Sequence, residues 1–189
     1  MGIRCISNMN GLSIVRQEGY EDLLEVGSNL SIWEGFPSTS SKSVFVKPNM
    51  VVPPSASDRQ SVTHLAVVEM LVRKLMEDGA GKITVGCCGF KGAWAWEETL
   101  RLWGADRLRR MGVEVVCLHS GEYEWVKAKD YWSLAGTKVS KFLLEADVVL
   151  NLPKLKVHWR AGVTGAIKNM VGCISPKGSM HPGDRADLL

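Results

Sequence analysis

No stretch of this 189-residue sequence stays apolar for the ~18 residues that a membrane-spanning helix needs, and its start, MGIRCISNMNG, is too polar for a secretory signal. The Met-Gly opening does not make a myristoylation site either, because Ser7 lies one position beyond the required hydroxyl. Cysteine is sparse and odd in number, five residues with Cys87 and Cys88 adjacent and no CxxC, which excludes a disulfide framework and points to a reducing, cytoplasmic setting. Basic residues form no dense patch, and the formal net charge is only +3. A nucleic-acid duplex is therefore a poor partner and an acidic small molecule a better one. Internal repeats, low-complexity segments and a linker are also lacking.

With those classes set aside, 46% hydrophobic residues describe a chain able to fill one globular core. The whole, 1–189, reads as a single α/β domain that stops short, since HPGDRADLL resembles the start of another helix. Apolar runs at 43–46, 82–88, 113–118 and 147–152 alternate with helical patterns. Leu65, Val68, Leu71, Val72 and Leu75 recur at helical spacing behind Thr63 as an N-cap, and Gly79 supplies the stop. Further helices are expected at 18–33, at 93–111 and, short, at 140–145, and a tight hairpin at Asn10-Gly11. Residues 122–137 read as irregular. Parallel strands need crossovers, so the fold class is α/β: a mainly parallel sheet with helices on both faces, a doubly wound three-layer sandwich with an N-terminal hairpin.

In such sheets ligands bind beyond the carboxyl ends of the strands, which draws attention to NLPKLKVHWRAGVTGAIKNMVG, residues 151–172. If the chain stays extended after Pro153, Lys154, Lys156 and His158 project to one side while Leu155, Val157 and Trp159 project to the other. One face is then cationic and the other free to pack. Thr164 is a candidate cap for a helix whose free N–H groups favour an anion, Gly162 and Gly165 allow close approach, and Ile167, Met170 and Val171 can face the sheet. The plainer alternative is a solvated lysine edge with glycines that only ease packing. GVTGAIKN lacks the spacing and the Gly-Lys-Ser/Thr ending of a P-loop.

Four segments, VFVKPNMV, THLAVVEMLVRKLMEDGAGKITVG, VSKFLLEADVVLNLPKLKVH and GVTGAIKNMVGCI, together with the later His181, resemble the domain of unknown function 362 family of bacteria and archaea. The resemblance runs in order along nearly the whole chain. It implies an α/β domain often adjacent to a ferredoxin-like module with 4Fe-4S clusters. By position it marks Lys47 and Asn49, then Lys154, Lys156 and His158, then Thr164, Lys168 and Asn169, with His181 trailing. The chain departs from the pattern at GCCGF after the second strand and in having no ferredoxin-like cysteine run, so the cofactor stays open: no cluster is expected in this chain, and the resemblance leaves room for a 4Fe-4S cluster only on a partner or adjacent module.

Two functions of different class follow. The first is an enzyme-like or cofactor-binding domain: Lys47, Asn49, Lys154, Lys156, Thr164, Gly165 and Asn169 hold a carboxylate or phosphate, with His158, Lys168 and His181 as catalytic candidates. The second is a non-catalytic accessory module that docks onto an iron-sulfur redox partner through its tryptophans, Trp94 and Trp96 among them. Cys87, Cys88, Cys117 and Cys173 with His158 and His181 have the donor types of a zinc or iron site but no local pairing, so buried inert thiols and no metal are expected. Neither nucleic acid nor a membrane enters as a partner.

Overall fold

The structure is a computed structural model, and it describes residues 4–9, 12–16, 19–20, 23–28, 30–50, 61–88, 96–127, 136–158 and 162–175. Its centre is a sheet of four parallel strands. β3 (Ser43–Pro48), β4 (Lys82–Cys87), β5 (Glu114–Cys117) and β8 (Val148–Leu152) lie in the order β5-β4-β3-β8. The two antiparallel strands β1 (Arg4–Met9) and β2 (Leu12–Arg16) precede them as the expected hairpin, with Met9 opposite Leu12.

Apolar residues run continuously along β3 because both of its faces are covered. Val44 and Val46 face a core filled by Leu65, Val68, Val72 and Leu75 of α2 (Leu65–Glu77), Leu100 and Trp103 of α3 (Trp96–Trp103) and Leu108 of α4 (Asp106–Arg110). Phe45, between them, faces the other way, against Cys88, Leu118 and Cys173, with Phe142 of α5 (Lys141–Leu144) and Met170 of α6 (Ala166–Met170) packed alongside. Three layers result, as the alternation of runs implies. Each buried Val or Leu contributes roughly 1.5–3 kcal/mol. Gly86 of β4 is required by this packing, for a Cβ there would meet the Phe45 ring at 2.4 Å.

Several local expectations give way. His64, not Thr63, caps α2, its Nδ1 accepting from the Ala66 N–H at 3.2 Å, which leaves Thr63 for another task. The helix expected at 18–33 is α1 (Leu23–Ser28) followed by a 3-10 turn, Leu30–Trp33, held by Trp33 Nε1 donating to the Gly27 carbonyl at 2.7 Å. The helix expected at 93–111 is interrupted at Gly104, whose φ of 88° ends α3 before α4 begins. Within the stretch read as irregular, β6 (Tyr123–Lys127) and β7 (Gly136–Ser140) pair antiparallel, and β11 (Ile174–Ser175) adds to β7. Their residues mix polar and apolar side chains without an apolar run, so pairing partners distant in sequence decide the structure. After β8 the chain makes a second hairpin, β9 (Lys156–His158) with β10 (Gly162–Thr164), before α6.

Candidate functional site

In chain order the four parallel strands run β3, β4, β5 on one side, and β8 then returns to the opposite flank of β3. The order reverses between β3 and β8. At that point a doubly wound sheet opens a crevice beyond its carboxyl ends, and Lys47 of β3 lies there directly opposite Asn151 of β8. The same strand that buries Val44, Phe45 and Val46 carries Lys47 inward, so that its side chain is only 2% exposed. Its Nζ donates to the Pro48 carbonyl at 2.7 Å and, at the long distance of 3.5 Å, to Asn169 Oδ1. Among the described residues no carboxylate lies within ion-pair distance of it.

Asn169 is the organiser of this group. Its amide donates to the Lys47 carbonyl at 3.0 Å and to Asn151 Oδ1 at 2.7 Å, while Asn151 donates to the Ala166 carbonyl at 2.8 Å. Strand, neighbouring strand and α6 are thus tied through side-chain amides around one ammonium. Gly172 closes the wall: a Cβ there would stand 3.0 Å from both Lys47 Cε and Cys88 Sγ and 3.3 Å from Lys47 Nζ. The Cys88 thiol donates to the Gly172 carbonyl at 3.3 Å. Cys87, one residue earlier, faces the opposite core. Burial pushes its thiol well above the ordinary value, with the Lys47 ammonium pulling the other way.

A second group forms beside the first. Asn49 Nδ2 and Lys156 Nζ both donate to the Ser61 carbonyl, at 2.5 and 2.7 Å. Thr63 Oγ1 donates to the Leu152 carbonyl at 2.7 Å and accepts from the Asn49 N–H at 2.9 Å, and its own carbonyl accepts from Trp103 Nε1. Lys154 reaches the Tyr20 hydroxyl at 3.4 Å, and the Tyr20 ring stacks on His64 at 3.9 Å.

Of the residues expected to act together, Lys47 and Asn169 meet directly, and Asn49 and Lys156 meet at a shared carbonyl. Thr164 is buried and lies opposite Lys156, but it ends β10 and caps nothing; Gly165 holds the cap position without a side-chain bond. With five residues α6 is too short for its N-terminus to serve as the anion site that the sequence suggested. Lys168 projects from α6 about 100° away from Asn169. It is half-buried without a hydrogen bond or ion pair among the described residues, and burial holds its ammonium below the ordinary lysine value. His158 ends β9, opposite Gly162. His181 lies outside the described residues.

The alternation after Pro153 is present with its sense reversed. Lys154, Lys156 and His158 turn toward the body and are half-buried, whereas Leu155 and Val157, expected to pack, are 82% and 87% exposed. Ile167, expected against the sheet, is 70% exposed. Trp96 is buried in the core, which removes it from any docking face; Trp94 is outside the described residues. Among the described residues no cluster of three His, Cys, Asp or Glu side chains could hold a metal ion. The sequence reading omitted Asn151, although a lone amide inside VVLNL at the end of a strand was a usable signal.

A sequence profile described as Domain of unknown function (DUF362) matches residues 44–188. A thylakoid-associated protein of Synechocystis sp. is 31% identical over 135 residues, which make up 71% of this chain, and the chain spans 40% of that protein's length. No solved structure matches the chain.

Proposed function

The chain belongs to the domain of unknown function 362 family, and we propose that it is an enzyme-like or cofactor-binding domain that holds a carboxylate or phosphate at the crevice between the carboxyl ends of β3 and β8. The observation that carries this reading is the Lys47 ammonium, 2% exposed and, among the described residues, provided with neutral oxygens only. An ammonium out of water costs several kcal/mol unless an opposite charge meets it, and an anionic ligand supplies that charge. Asn169 and Asn151 orient the group. Lys168, with its lowered proton affinity, is the candidate to exchange a proton with what binds, and Asn49, Lys156 and Thr164 shape the neighbouring wall. Cys87, Cys88, Cys117 and Cys173 are buried and form no disulfide, which supports a reducing, cytoplasmic setting.

The test is thermal unfolding with inorganic phosphate against chloride at matched ionic strength. Wild type should gain several degrees with phosphate, because a ligand that binds only the folded state stabilises it by mass action. Lys47→Met should lose that gain and, without phosphate, melt no lower than wild type, since an apolar side chain replaces an uncompensated buried charge. A full phosphate response in Lys47→Met, or a large loss of stability in its absence, would make Lys47 a structural residue and end the reading.

A further inference from the structure

The hairpin β9–β10 and α6 present Leu155, Val157, Val163 and Ile167 to solvent at 82%, 87%, 60% and 70% exposure. They form one patch. Val157 and Val163 are direct cross-strand partners and so share a face, and Leu155 Cδ1 lies 3.9 Å from where a Gly165 Cβ would stand, next to the turn of α6 that bears Ile167. Exposed apolar patches rimmed by polar residues mark contact surfaces. Three properties decide what this one contacts. From Val148 to Ser175 the sequence carries no acidic residue, and Lys154, Lys156 and Lys168 belong to the same described segments that bear the patch, so a chain of net charge +3 gives this region a positive balance. The four exposed side chains are all aliphatic, without the directional groups of a protein interface. Together they also fall well short of the roughly 800 Å² per partner that a standard protein interface buries.

We propose that this face is a peripheral contact with an anionic lipid surface. Leu155, Val157, Val163 and Ile167 enter the interfacial zone, and the surrounding cations draw the domain toward lipid headgroups. The attraction acts over about a Debye length, so the lysines need not point the same way as the patch. None of the described helices is long and apolar enough to cross a membrane, and the contact proposed lies on its surface. Its apolar residues are separate from the Lys47 site, which is built on the carboxyl ends of β3 and β8.

The experiment is cosedimentation of the whole chain with phosphatidylcholine vesicles with and without phosphatidylglycerol. Wild type should pellet with the phosphatidylglycerol vesicles, less so as salt rises. Val157→Asp should weaken that binding about tenfold or more while circular dichroism and melting temperature stay unchanged. Leu155→Asp, on the same face, decides the matter if Val157→Asp does not fold. Failure of wild type to pellet, or equal pelleting of a folded aspartate variant, overturns the proposal. So does sedimentation velocity showing a dimer that Val157→Asp dissociates, which would assign the face to a second copy of the chain. Lys47→Met should pellet like wild type, so failure of the anion site leaves this outcome readable.

Discussion

Removing an ammonium from water is costly even after local relaxation, and Lys47 meets that cost with a backbone carbonyl at 2.7 Å and a distant amide oxygen. A lysine so placed is poor for stability and useful for binding. If the missing counter-charge comes from a ligand, a counter-charge built into the chain should displace it. Asn169→Asp sets a carboxylate beside Lys47 Nζ, and apparent phosphate affinity should fall at least about tenfold, or about 1.4 kcal/mol, in calorimetric titration. An unchanged affinity would mean that the anion does not engage Lys47. Lys47 was legible as the polar close of an apolar run and Lys156 through the alternation after Pro153, whereas Asn49 and Asn169 were marked by the family resemblance. Asn151 became significant only when β8 was seen to lie against β3, a pairing across 104 residues that no local pattern encodes.

At the scale of elements, the ends of β3 and β8 and the entrance to α2 are held together because they are tied at Thr63. The Thr63 hydroxyl bonds to both strand ends, its N–H donates to the Asn49 carbonyl at 2.8 Å, and its carbonyl receives Trp103. Thr63→Val keeps the volume but leaves the Leu152 carbonyl one donor fewer. Urea unfolding should therefore show a loss of about 1–3 kcal/mol, with an unchanged denaturant slope. A neutral result would show that the strand ends hold without it. Sequence spacing placed Thr63 at the helix entrance but assigned it the wrong partner, because a hydroxyl that can cap a helix can equally bridge strands. Which bond forms depends on how close the strand ends come. The same limit applies to β9, where alternation defines two faces but not which of them meets the body.

For the whole molecule, the other end of the sheet has its own electrostatics. Asp147, ahead of β8, accepts from the Ser43 hydroxyl and N–H at 2.7 and 2.8 Å, and those bonds hold its carboxyl below the usual range. Glu114 is lowered likewise by Lys82, with Thr84 assisting against burial. A carboxylate depressed in the folded state stabilises fully above the ordinary carboxylate range, and its contribution is lost as pH falls through the native value. The stability advantage of wild type over Asp147→Asn should thus be complete at neutral pH and vanish in acid; a pH-independent difference would assign the effect to geometry alone. The buried Lys47 ammonium and this anionic anchor stand at opposite ends of the same strands. Local order along the chain determined the parallel class of sheet, the α2 stripe and the N-terminal hairpin, because apolar period and turn chemistry act over a few residues. Only the tertiary structure decided the strand order that makes the crevice, the isolation of Lys47 from any described carboxylate and the outward turn of Leu155 and Val157. Each of these depends on contacts between segments far apart in sequence, where burial and charge are settled by what the rest of the molecule brings near.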